Sequence, residues 1–460
     1  MKRFLIGLFV VAAGFAAVAG YSAASQEREY RKLIAVGDAA LGRDDTYVAV
    51  EAFSGAIALN RDAMLAYLKR GQAYHRRGEL QNARRDLRMA ASLDPASVRV
   101  FEALGDVTYA LREYERAADG YAHSVRLDDT SARVLYKLGL AHYHAGRPAA
   151  ALQPLTRAVS LDPRYAEAHY VLGLALRDLG RASEALGALR QAVSIAPALT
   201  EARAELAALY GVLGRSRDQV EQLEALAALG PRPERAVALG LAYARAGRTN
   251  QAVLTLGSAA ERFPETQQVY VALGRVWLES AEARGDRIAL SKAMEALEGA
   301  LTAADPSSEA LALFGRALAL SGDAETAEQT LLDACARSPV EPLAFLYLAD
   351  VSERLGHVDR AGDALGSYRA LLAPDDPVAE RLAPSAKIGD LALRSGDAPT
   401  AVRWYRRASD AAPNDVHLLT RLAEAAWGAG DQDLARRSVA RGLEVAPGDR
   451  TLRLLQQKVR

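Results

Sequence analysis

Residues 132–199 read ARVLYKLGLAHYHAGRPAAALQPLTRAVSLDPRY and then AEAHYVLGLALRDLGRASEALGALRQAVSIAPAL, two blocks of 34 residues that lie on one another without a gap. Their landmarks coincide: Leu138-Gly139 with Leu172-Gly173, Gly146 with Gly180, Ala151 with Ala185, Leu155 with Leu189, and Pro163 with Pro197. A fixed period of this length marks stacked repeats, each of which buries its apolar face only against its neighbours. Length then counts repeats, so 460 residues need not mean several domains.

Carried outward, the register predicts repeats starting near Tyr30, Met64, Val98, Ala132, Ala166, Thr200, Pro233, Gln267, Ser308, Pro342, Leu382 and Val416, about twelve in all. Within a block, positions 4, 7, 8 and 11 share one face of a first helix, as in Phe101, Leu104, Gly105 and Thr108. Positions 20, 24 and 27 do the same on a second helix, as in Ala83, Leu87 and Ala90. Two amphipathic helices per block follow. A small residue recurs at position 8, where glycine costs a helix about 1 kcal/mol unless a neighbour must come close. The expected neighbour is the small residue at position 20, mostly alanine. Glycine at position 15 (Gly78, Gly146, Gly180) suits the left-handed residue that ends a helix, and proline at position 32 (Pro95, Pro163, Pro197) stops the second helix.

This pattern resembles the tetratricopeptide repeat family from Tyr30 to Gly448. The resemblance implies an all-α fold, a right-handed superhelical solenoid of about twelve antiparallel helix pairs whose first helices line a concave groove. The family's usual tryptophan at position 4 is replaced here by Phe101, Leu135 or His169. The period breaks twice. About seven residues are in excess near 279–292, which predicts a lengthened helix or an extra turn, and residues 373–381 separate repeats ten and eleven. The solenoid is therefore expected over 26–449, with residues 450–460 as a capping helix whose Lys458 and Arg460 suit the negative end of its dipole.

Before the repeats, Lys2 and Arg3 precede an apolar run at 4–19 and small residues through Ser25. Residues 1–25 read equally as a cleavable signal peptide or as an N-terminal membrane anchor, with the body exported to the periplasm or held at the inner membrane. The chain carries 57 Lys and Arg against 57 Asp and Glu, so no overall field draws nucleic acid or an anionic membrane, and membrane contact is expected only through the N-terminal segment. The single cysteine, Cys335, excludes an internal disulfide and reads as a small buried hydrophobe.

No phosphate loop, HExxH, GxSxG or CxxC occurs, so no catalytic, cofactor-binding or metal residue is assigned and no enzyme is expected. His142 and His144, two apart, fall on different faces of one helix, His142 in the core and His144 toward the groove. By resemblance, positions 2, 5, 9, 12 and 13 of each first helix face the groove. Repeats three to five place Arg99, Tyr109, Arg133, Tyr136, Tyr143, Tyr170 and Arg177 there, and Lys137 beside them. Tyr136 and Tyr170 are one repeat apart, as are Tyr109 and Tyr143, a ladder suited to an extended peptide. The carboxylate clamp of chaperone-binding relatives maps onto Leu68, Gln72, Ala103, Arg133 and Lys137, of which only the last two keep their charge, leaving a basic pair for an acidic group. These readings describe a non-enzymatic protein-interaction scaffold of a bacterial cell envelope that binds partner proteins or peptides in its groove. The alternative is a periplasmic component of polysaccharide secretion whose tyrosines stack on glycan.

Overall fold

The computed structural model describes residues 2–372 and 377–459; the side chains of 2–19 and 377–379 lie outside that description, as do residues 373–376 and Arg460. Among the described residues the chain forms 26 helices and no strand. It divides into two units, Met1–Gly214 and Arg215–Arg460. The boundary falls inside the sixth repeat, between its first helix Thr200–Val212 and its second, Ser216–Ala228.

Each unit is built from helix pairs at the spacing the sequence sets. In repeat four the first helix is Ala132–His144 and the second Pro148–Leu161; in repeat five they are Ala166–Asp178 and Ala182–Ile195. Within a unit, the first helix packs on its own second helix, and that second helix packs on the next first helix. The core is consequently a chain of small clusters, such as Ala151, Leu155, Val171 and Ala175, each shared by neighbouring repeats.

The small residue at position 8 does make room, but for a different partner from the one expected. A β-carbon on Gly71 would lie 2.8 Å from Leu87 Cγ, and one on Gly173 would lie 2.7 Å from Leu189 Cγ. Position 24, not position 20, supplies that side chain, and Leu87, Tyr121, Leu155 and Leu189 are all buried there. The alanine at position 20 acts through its backbone: Ala83 O would stand 3.3 Å from a β-carbon on Gly71. The missing side chain of one helix is thus replaced by a large one from the other, which recovers the packing that glycine gives up.

The first break in period is a longer helix. Gln267–Arg284 has 18 residues where most first helices have 13 or 14, and it ends on Gly285 in the left-handed region at φ 63°. The interlock survives the insertion, because Gly274 meets Leu297 and not the residue at the usual spacing. At the second break a short helix, Pro377–Leu382, precedes the first helix of repeat eleven, Ser385–Ser395. Buried Arg369 pairs with Glu380 at 2.6 Å, and Glu380 also accepts from the Ser385 N–H and hydroxyl.

At position 15, Gly146 and Gly180 adopt φ 72° and 74°. Where the sequence lacks glycine the backbone turns the same way: Asp44 has φ 60° and Arg112 has φ 58°. The turn geometry is imposed by the repeat, and two ordinary residues accept it. At the C-terminus, Arg450–Val459 packs on the last helix pair and buries Leu452, Leu455 and Val459.

The N-terminal helix runs from Lys2 to Gly42, so the first helix of repeat one is the end of a longer one. Among the described residues no helix is long and apolar enough to cross a membrane. The apolar run at 4–19 lies outside the residues whose side chains are described.

Candidate functional site

Repeats three to five of the first unit bring the tyrosines together around a histidine. Tyr109 ends the helix Val98–Ala110, Tyr114 begins Tyr114–Leu127, and Tyr143 and His144 end Ala132–His144. The exposed His144 ring stacks on Tyr114, with centroids 5.3 Å apart and planes at 28°. It meets Tyr109 edge-on at 5.9 Å and Tyr143 edge-on at 5.7 Å. The two tyrosines one repeat apart are therefore joined through His144. Aromatic pairs at these separations gain from edge-to-face and offset geometry beyond their buried area.

Tyr136 and Tyr170 sit deeper. Tyr136 packs on Tyr165 at 4.9 Å, and both Tyr136 and Tyr170 are half-buried against Val171 and Leu155. Burial pushes the Tyr136 hydroxyl up to about 12, with the neighbouring Tyr165 adding to it. Burial likewise takes Tyr143 to about 12, aided by its hydrogen bond with Asp178. Tyr109 and Tyr170 are raised mainly by burial as well. All four are neutral donors at any physiological pH.

The basic residues are spent inside the scaffold. Lys137 Nζ donates to Asp106 Oδ1 at 2.7 Å and to Glu102 Oε1 at 2.9 Å, both on the preceding repeat. Arg133 donates to Glu102 Oε2 at 3.0 Å. Arg177 pairs with Glu205 of the next repeat and donates to Asp178 at 2.8 Å and to the Tyr143 hydroxyl at 3.5 Å. The Arg133 and Lys137 pair thus already faces two carboxylates, and the patch carries almost no net charge. Arg99 is exposed at the start of its helix.

One of these carboxylates does a second task. The buried Tyr121 hydroxyl donates to Asp106 Oδ1 at 2.8 Å, so a tyrosine from the second helix, an aspartate from the first and a lysine from the next repeat form one network. The second unit repeats the arrangement: Tyr405 donates to Asp390, and Arg421 Nη2 of the next repeat donates to the same oxygen at 2.6 Å. In repeat two, Lys69 reaches Asp38 of repeat one at 2.6 Å from the equivalent places. In these three places an acid at position 9 pairs with a base at position 6 of the following repeat, whereas Asp350 and Lys387, at the same positions, pair with Arg316 and Glu353 instead. Lys137 was legible as part of a basic pair but its pairing with Asp106 was not, although the recurrence of Asp38 with Lys69 and of Asp390 with Arg421 was present as a signal. Tyr114 was missed because it opens a second helix and lies off the positions expected to face the groove.

His142 is half-buried, its Nδ1 has no hydrogen-bond partner among the described residues, and burial holds its pKa below the ordinary histidine value. Cys335 is partly buried, which pushes its thiol up to about 11 and leaves it a poor nucleophile. Among the described residues no group of three or more His, Cys, Asp or Glu side chains could hold a metal ion.

Among solved structures, the chain is similar to that of YrrB, described as a tetratricopeptide repeat protein with an unusual peptide-binding site. The two are 25% identical over 42% of this chain and 97% of that one, with a TM-score of 0.38. The structure of MamA is 24% identical, over 35% of this chain and 94% of its own, at a TM-score of 0.34. Yeast Tom70 is 13% identical over 80% of this chain and 97% of its own, at 0.43. A family model described as tetratricopeptide repeat matches residues 35–98, 98–165, 136–200 and 387–450, and a second of the same description matches 237–266. With more than half of its length matched in this way, the chain belongs to the tetratricopeptide repeat family.

Proposed function

We propose that this protein is a non-enzymatic interaction scaffold whose first-helix face in repeats three to five receives a segment of a partner protein. The observation that carries the reading is the cluster of Tyr109, Tyr114 and Tyr143 around the exposed His144, set among ion pairs that are already satisfied. Aromatic side chains offer contact area at low entropy cost, and a neutralised surround selects by shape and hydrogen bonding more than by charge. An acidic tail is accordingly a poor occupant, because it would have to displace Glu102 and Asp106 from Lys137.

The test is affinity capture of partners on the intact chain and on His144→Ala with Arg99→Ala, two exposed substitutions that leave the core alone. Loss of specific partners with an unchanged melting curve is the expected result. Recovery of the same partners would sink the site assignment, and a glycan that shifts tyrosine emission where peptides do not would replace the protein partner with a polysaccharide.

The proposal extends to the N-terminus, where Lys2, Arg3 and the apolar run at 4–19 support export of the repeat body, cleaved or anchored, at a bacterial cell envelope. Protease accessibility of the repeats in spheroplasts, with N-terminal sequencing of the mature chain, decides it.

A further inference from the structure

The second-helix side of the solenoid carries a cleft that the tyrosine patch does not involve. In repeats four and five it lies between Pro148–Leu161 and Ala182–Ile195, above the first helix Ala166–Asp178, and holds about 310 Å³. At the equivalent place in the second unit, between Val358–Ala370 and Ala398–Ala411 above Ser385–Ser395, it holds about 820 Å³. The two clefts differ at three matching positions. Where the first cleft is walled by Leu152 and Thr156, the second has Gly362 and Gly366 at the same repeat positions, and Trp404 stands opposite in place of Ala188.

Neither glycine is needed by the chain's own packing. A β-carbon on Gly362 would meet only Leu391 Cβ, at an ordinary 3.6 Å, and one on Gly366 would meet nothing within 4 Å. The position-8 glycines are the opposite case, each filled by a large side chain from its partner helix. Gly362 and Gly366 therefore weaken a helix without any intramolecular return.

The charges are largely unspent. Asp359 and Asp363 line one wall, Arg403 and Arg407 the other, and none of the four closes a salt bridge with a described residue. Asp397, the cap at the start of the helix that carries Arg403, is held below the usual carboxylate range by its hydrogen bonds with Thr400, and Arg403 lies near enough to help. Arg403 donates only to the neighbouring Thr400 hydroxyl, at 2.9 Å. Elsewhere on the chain, facing acids and bases close on one another, as Lys137 does on Asp106. Here an acidic wall and a basic wall face each other across an open floor of Ile388 and Ala392.

We propose that this cleft is a docking site for an α-helix of a partner protein, one with small or aliphatic residues at i and i+4, a basic edge toward Asp359 and Asp363, and an acidic edge toward Arg403 and Arg407. A helix fits where an extended segment does not. The walls are themselves helices with their backbone groups satisfied, so a strand laid between them would bury unpaired peptide groups, whereas a helix satisfies its own. Glycines one turn apart let a second helix axis come near. The wall from Asp359 to Ala370 is about 16 Å long at the rise of a helix, enough for three turns of the guest.

The test is selection of 18-residue displayed peptides on the intact chain, with calorimetry of the winners against Gly362→Leu/Gly366→Leu, a variant that adds helix-favouring side chains and should melt no lower. The expected winners show helical periodicity and the stated charged edges, bind the filled variant at least tenfold more weakly, and switch preference to peptides with exchanged edges on Asp363→Lys/Arg407→Glu. The proposal falls if no peptide distinguishes the filled variant from the natural chain, if the winners lack helical periodicity, or if exchanging their edges changes nothing. A winner that tolerates scrambling of its sequence but not filling of the cleft would mark a pocket for a single side chain or small molecule and would also overturn it.

Discussion

Gly173 and Leu189 occupy one another's space: a β-carbon on the glycine would lie 2.7 Å from Leu189 Cγ and 2.8 Å from its Cδ2. Leu189 is fully buried and cannot swing away. Gly173→Ala should therefore destabilise by about 1–3 kcal/mol from overpacking, in spite of alanine's better helix propensity. Gly366→Ala, with nothing nearby, should stabilise by up to about 1 kcal/mol. Denaturant unfolding of the two variants checks the opposite signs.

Arg112 holds the left-handed conformation that Gly146 and Gly180 hold in the next two repeats. For a residue with a β-carbon this conformation costs about 1–2 kcal/mol. Arg112→Gly should raise stability by about 1 kcal/mol, offset in part by the greater freedom of glycine in the unfolded chain. A lower melting temperature would mean that the Arg112 side chain contributes more than its backbone costs.

Asp390 titrates below the ordinary aspartate value: burial would raise it, but the hydrogen bonds from Tyr405 and Arg421 outweigh that. A carboxylate depressed in the folded state stabilises above its unfolded pKa, about 3.9, and that contribution fades as pH falls through the lower folded value. The stability gap between the natural chain and Asp390→Asn should accordingly be constant from pH 7 to 5 and close below about pH 4. A gap that persists at pH 2 would assign the loss to packing of the amide.

Lys137 and Arg133 both contact Glu102, yet they should differ. The Arg133 side chain is 60% exposed, whereas that of Lys137 is 23% exposed and bridges two carboxylates. Arg133→Ala should stay within about 0.5 kcal/mol of the natural chain. Lys137→Met should cost about 1–3 kcal/mol, since it leaves Asp106 without its base and Glu102 with only the exposed Arg133. Added salt should reduce the second effect and hardly touch the first.

Much of this molecule could be read from the period alone. The 34-residue spacing located helix pairs from Val98–Ala110 to Val416–Gly428, because each boundary residue acts locally, glycine at a turn and proline at a stop. The interlock was harder to read, since position 20 and position 24 lie on the same helix face, and only the approach distance between helices shows which of them fills the glycine's space. The candidate site was legible as a set of aromatic positions, whereas the pairing of Asp106 with Lys137 and Tyr121 joins residues from three helices.

The sequence by itself determined that this chain is a repeat solenoid and where most of its first helices begin, because those choices depend on neighbours a few residues apart. The start of the N-terminal helix at Lys2 and the short helix Pro377–Leu382 before Ser385 lay off the period. Only the tertiary structure decided which charges remain available. Arg133 and Lys137 look like a basic pair in the sequence and are neutralised in the fold, while Asp359, Asp363, Arg403 and Arg407 look like ordinary surface charges and are left facing an open cleft. Whether an acid and a base meet depends on the distance between the helices that carry them. Here Asp363 and Arg407 stand on opposite walls of a cleft that Gly362 and Gly366 leave unfilled, whereas Lys137 closes directly on Asp106.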